Sequence, residues 1–354
     1  MAITKFPQQP PDIQRLPQSQ YIDAVRWLPN LSPFQKSLIA ASFDADTSTP
    51  SLQIHSLDPK TLTLTPLSLW TPPSRISSLK TTHSSSSSCL VAASTASASL
   101  HFFRGNPESP VLQPEVSVAG KDFHVGAIQG VDLLDGGGGS EGCLCVGEDG
   151  RVNVVDWQGG FRRVFDGNGL VSFSAVKWAS PTEFVTGGYW FGLQWWDLRR
   201  PGAAVAQFKG NWDRGRSSGV IHSIDIHPSR KHTCLAGGSA GTVFAWDLRM
   251  QQQPIILSGA QSSDTMTQSL SESEVWEVQY DYYTKFSKNM SSSRILPAMI
   301  CSEDGILAVI EQGEEPVELL AEPCAINCFD IDRQNPSDVI CALEWESIAM
   351  VTRP

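Results

Sequence analysis

A phrase repeated along the chain constrains its fold more than any other feature. It reads as a short apolar strand, a turn rich in Gly or Ser, a second apolar strand, then Trp-Asp or a remnant of it. The clearest copy runs from Cys234 to Arg249 and ends Trp246-Asp247-Leu248-Arg249; another runs from Phe184 to Arg199 and ends Trp196-Asp197-Leu198-Arg199. Cys143 to Trp157 and Met299 to Ile310 repeat the pattern around Glu148-Asp149-Gly150 and Glu303-Asp304-Gly305. Weaker copies begin at Leu38, Leu90 and Val339, so seven hairpins are expected. Two β-rich runs around Gly-Gly or Asp-Gly form hairpins because such turns need residues that tolerate positive φ.

These strands are apolar on both faces, so both faces must be covered. Four-stranded sheets stacked radially as blades provide that cover. The spacing of about 51 residues per hairpin slightly exceeds the roughly 40–45 of a minimal blade repeat. Upstream runs Ala24–Pro29, Phe173–Trp178, Ile221–Pro228 and Val275–Tyr280 read as inner strands. After the last hairpin, near Val351, no residues remain for a fourth strand. Part of residues 2–16 is therefore expected to supply it, joining the chain ends and hiding an edge. Its prolines suit an outer position better than an inner one. The expectation is an all-β, seven-bladed β-propeller over residues 1–354, closed by the segment 1–20. Residues 258–274 and 284–293 read as mobile loops of the sixth blade, and Ser84–Ser88 and Gly136–Gly139 as flexible loops.

Composition removes several functional classes. With 41% hydrophobic and 18% charged residues, the chain is too apolar to be disordered throughout. Twenty-six Lys and Arg against 37 Asp and Glu, a net charge of −11, argue against a direct nucleic-acid partner and against a polybasic membrane contact. No long apolar run predicts a secretory leader or membrane insertion. The eight cysteines sit mostly in apolar runs and are expected as small buried hydrophobes of a reducing compartment.

Apparent chemical motifs have structural readings. His222, Ser223, Asp225 and His227 suggest a hydrolase triad, but alternation along a strand points His222 away from the other three. Cys324 and Cys328 lack nearby partners for a four-ligand zinc site. The two Glu-Asp-Gly turns lack the further oxygen donors of a calcium loop, and the Gly-rich stretches lack the Lys-Ser or Lys-Thr of a phosphate loop. No enzymatic activity, metal or cofactor is expected. Trp157, Trp196 and Trp246 occupy equivalent repeat positions, which argues for packing between blades. Trp190 and Trp212 lie near turns and are the candidate exposed aromatics for protein binding.

The Trp-Asp-Leu-Arg phrases resemble those of WD-repeat proteins. Three stretches narrow the likeness: Val146–Asn153, Glu274–Val278 and Cys301–Gly305. With His222–Pro228 and the tail Ala349–Arg353, their order and spacing resemble the WD-repeat nucleoporin forty-three family from about Arg26 onward. The resemblance implies a non-catalytic subunit of the Y-shaped outer-ring scaffold of the nuclear pore. It implies a place at the nuclear envelope beside a helical-solenoid subunit of the short arm, in support of protein and mRNA transport. A second reading rests on Arg199 and Arg249. Trp-Asp-x-Arg resembles the docking box of cullin-4 ubiquitin ligase substrate receptors, although the preceding turns lack the acidic residue of the full box.

Overall fold

The computed structural model describes residues 10–29, 36–58, 60–83, 89–105, 111–134, 141–189, 192–200, 202–209, 219–239, 241, 243–247, 255–256, 273–283, 296–311 and 315–354. The residues 258–272 and 284–293, expected as loops, lie outside that set, as do Ser84–Ser88 and Gly136–Gly139. Among the described residues the named elements are 28 strands, β1 to β28, arranged in seven four-stranded antiparallel sheets. No described helix is long and apolar enough to cross a membrane.

Each sheet is one blade of a propeller. The inner strands are β2 (Tyr21–Leu28), β6 (Ile76–His83), β10 (Ile128–Leu133), β14 (Phe173–Ser180), β18 (Ile221–Ile226), β22 (Val275–Tyr280) and β26 (Ile326–Ile331). Each touches the next, and β26 returns to β2. The seventh blade completes the ring as the hairpin count requires. Its outer strand is β1 (Asp12–Pro17), which pairs along its whole length with β28 (Ser347–Thr352). The closing strand is thus drawn from the expected 2–16 segment and runs one residue past it, to Pro17. Ile13 and Leu16 pack against two different core clusters, so the strand contributes apolar burial as well as hydrogen bonds.

The hairpin turns share one backbone solution. In five of them the residue before the third strand is left-handed, Ser48 (φ 54°), Ala98 (63°), Gly150 (72°), Gly305 (82°) and Glu346 (54°), and in the fifth blade Gly241 (67°), two residues before it, is left-handed. Glycine adopts this conformation freely, whereas Ser, Ala and Glu do so at a cost of roughly 1 kcal/mol or more each. Small residues before the turn serve another purpose. A Cβ on Gly187 would lie 2.7 Å from Ile221 of the next blade, and one on Gly237 would lie 2.7 Å from Val278.

The repeat tryptophans fill the gaps between blades, as their equivalence suggests. Trp196 lies between Phe184 of its own blade and Phe165 of the preceding one, with centroids 5.9 and 5.2 Å away. Trp246 meets Phe208, and Trp157 meets Phe102, each from the preceding blade. All eight cysteines are buried and free. Burial pushes the Cys89 and Cys234 thiols up to about 12, which keeps them protonated and unreactive.

Candidate docking surfaces

Successive inner strands are too splayed to form a β-ladder with each other, so backbone groups at each blade junction need other partners. Side chains supply them at three levels. At the first, Ser77 donates to the Ile128 carbonyl (2.5 Å), Ser174 to that of Ile221 (2.5 Å), and Asn327 to that of Ile22 (3.3 Å). At the second, the amides of Val131, Val278, Phe329 and Val25 donate to Ser78, Ser223, Glu277 and Cys328. At the third, the Trp178, Tyr280 and Trp27 amides donate to Asp132, Asp225 and Asp330 at 2.7–2.8 Å.

This ladder absorbs the residues that suggested a catalytic triad. Ser223 and Asp225 bind the next blade's backbone, and His227 accepts the Ser229 amide proton. His222 instead bonds Glu274 at 2.6 Å and meets the Trp276 ring at a tilt, with centroids 4.5 Å apart. Burial pulls its imidazole below the usual range, with Glu274 opposing. The expected alternation of His222 and Ser223 does not hold, because both reach the sixth blade. A bulge after Ile221 shifts the register, and the same bulge occurs at the start of all seven inner strands. Cys328 is likewise committed to the Val25 amide.

The central channel opens into a cavity of about 780 Å³ whose charged lining pairs with itself. Arg26 bonds Glu277 at 2.9 Å, with side chains only 9% and 7% exposed, and Lys80 approaches the same carboxylate at 3.5 Å. Burial opposes the Arg26 charge, but Glu277 reverses this and holds its pKa above the ordinary value. Burial likewise pushes the Glu277 carboxyl up, and Arg26 and Lys80 bring it below the usual range. Across the channel, Lys177 lies 3.5 Å from both Asp132 and Asp225 and is 26% exposed.

The two broad faces of the ring differ. The hairpin face carries the turns between second and third strands together with the blade-to-blade crossovers; the opposite face carries the remaining turns. Arg199 lies on the opposite face and is 65% exposed. Its guanidinium binds both oxygens of Asp197 at 2.8 Å and holds that carboxyl down at about 2. The arginine of this Trp-Asp-Leu-Arg phrase is therefore engaged within its own turn. Arg249, Trp190 and Trp212 lie outside the described residues.

The most exposed aromatic among the described residues is one that the sequence reading does not single out. Trp345, in the seventh hairpin turn between β27 (Asp338–Leu343) and β28, is 64% exposed. Aligning the turns could have revealed it, because Trp345 stands where Asp149 and Asp304 stand in the third and sixth blades. Asp149 accepts the amides of Val125 and Arg151, a turn-fixing role that an indole cannot perform.

A closed ring of seven blades with WD endings, displaying loops on two faces, defines a WD-repeat β-propeller. No family model matches the chain. It is 58% identical over 358 residues to the nuclear pore complex protein NUP43 of Arabidopsis thaliana, covering 97% of this chain and 98% of that protein. It is 30% identical over 167 residues to nucleoporin Nup43 of Mus musculus and of Homo sapiens, covering 46% of this chain and 37% of each of theirs. The chain belongs to the Nup43 family of nucleoporins, proteins of the nuclear pore complex at the nuclear envelope.

Proposed function

We propose that the chain is a non-catalytic scaffold subunit of the Y-shaped outer-ring subcomplex of the nuclear pore. In this role it docks against other nucleoporins, among them a helical-solenoid subunit of the short arm. It supports protein and mRNA traffic without directly contacting nucleic acid or inserting into the membrane. The observation that carries this reading is the 58% identity to a nuclear pore protein across nearly the whole of both chains. A self-paired channel and a ladder spanning the blade junctions suit a rigid platform, which loses little conformational entropy when a partner binds. The cullin-4 reading is not favoured: Arg199 is already held by Asp197. Affinity purification of the tagged full-length chain at mild salt tests the proposal. Near-stoichiometric recovery of Y-complex nucleoporins and nuclear-rim fluorescence are expected. Recovery of a cullin-4 adaptor without nucleoporins, or diffuse fluorescence, overturns it.

A further inference from the structure

We propose that the hairpin face over blades 6, 7 and 1 is a docking surface. Trp345 is its anchor, and its partner is a segment of a neighbouring nucleoporin that carries Lys or Arg around an apolar side chain. The inference rests on the scaffold reading above and specifies where that scaffold is held.

Trp345 is 64% exposed, whereas Trp27, Trp178, Trp195, Trp196 and Trp246 are each no more than 7% exposed. The equivalent turn position holds a small or polar residue in five other blades, Thr47, Ser97, Asp149, Gly241 and Asp304, so local folding of the turn does not call for an indole. The following residue, Glu346, takes φ 54° without the help of glycine. The turn is nevertheless well tied down: the Glu346 carbonyl accepts the Gln18 amide at 2.8 Å. That bond joins the turn to the crossover leading to Tyr21, which is 42% exposed and opens the first blade. Two aromatic side chains are thus presented from a fixed frame on either side of the ring closure. Rigid, exposed aromatics of this kind dominate the energetics of protein interfaces.

Charge selects the partner. Glu344 and Glu346 flank the indole, and the neighbouring hairpin turns contribute Glu303 and Asp304 on one side and Asp44 and Asp46 on the other. No Lys or Arg lies within these three turns. An indole set among carboxylates accepts a cationic side chain over its ring and repels an acidic one. The exposed Val125 and Leu170 on the same face lie near Asp149 and Asp166, which Arg151 and Arg163 pair, so they serve as the internal control.

The test places a photocrosslinking phenylalanine analogue at position 345, and separately at 170, in the tagged full-length protein in cells. Crosslinks from 345 to a basic, apolar-containing peptide of a nucleoporin are expected. Trp345→Ala combined with Tyr21→Ala should lower nucleoporin recovery by about tenfold or more, and Glu344→Lys with Glu346→Lys should do likewise. Trp345→Phe should retain most binding. Because Trp345 and Tyr21 are exposed, the thermal midpoint of the alanine variant should match wild type, which separates lost docking from lost folding. If wild type recovers nucleoporins and the alanine pair recovers them equally, the inference fails while the scaffold reading stands. Crosslinks only from 170, or to acidic peptides from 345, also overturn it. If wild type recovers no nucleoporins, both fall.

Discussion

The two sides of the channel use the same inner-strand positions to different effect. On the side where the ring closes, blade 7 meets blade 1 through all three levels of the ladder: Asn327 to Ile22, Val25 to Cys328, and Trp27 to Asp330. Arg26 adds a buried ion pair with Glu277 and a hydrogen bond to the Phe329 carbonyl at 2.9 Å. On the far side, Lys177 is shared between Asp132 and Asp225 at longer range and closer to solvent. The closure is where separation of the chain ends would open the ring, and it is where desolvated, geometrically specific contacts concentrate. A buried charge is costly when left alone, so a buried pair makes the open ring unfavourable without adding much net attraction.

The most drastic way to break this contrast is to remove residues 1–17. Without β1, the β28 edge is exposed, and Ile13 and Leu16 no longer pack. Size-exclusion chromatography should show self-association of the truncated protein, since an unpaired strand edge recruits other strands. Next in size, Glu277→Ala should cost about 3–5 kcal/mol in urea unfolding by leaving Arg26 buried without its carboxylate. Asp330→Ala should cost roughly 1–3 kcal/mol, because the Trp27 amide loses its acceptor at the same junction. Lys177→Met should change stability by no more than about 1 kcal/mol, as expected of a partly solvated pair. Equal losses for Glu277→Ala and Lys177→Met would erase the distinction between the two sides.

Acid sharpens the comparison further. The Glu277 carboxyl is held below its ordinary value of 4.5, so its contribution is complete above that pH and is lost as pH falls through the folded-state value. The stability difference between wild type and Glu277→Gln should therefore shrink on acidification below about pH 5, as followed by urea midpoints. A difference that stays constant down to the acid transition would mean the pair is not coupled to folding.

Where the hairpins were easy to read, glycine made them so. Gly150, Gly241 and Gly305 announce their turns, whereas Ser48, Ala98 and Glu346 reach the same left-handed geometry without that signal. The weak copies in blades 1, 2 and 7 are weak for this reason, and they were recovered from their apolar runs. The closing strand was legible by counting. The docking surface was less legible. Trp190, Trp212 and Arg249 lie outside the described residues, Arg199 is engaged by Asp197, and Trp345 sits in a turn without a glycine to mark it. The bulge beside which His222 and Ser223 both reach the sixth blade could not be read from alternation, because it is a register shift between the first and second strands of the blade.

The sequence by itself determined the number of blades, the order of strands within each and the need for an N-terminal strand. These follow from local periodicity, turn chemistry and a count of strands, all properties of short segments. Only the tertiary structure decided which carboxylate meets which cation. Glu277 lies 251 residues from Arg26 and 197 from Lys80, and no local pattern links them. It also decided that Trp345 faces outward and that the turn carrying it is tied to the start of the first blade. Both depend on ring closure, which brings the two ends of the chain together in space.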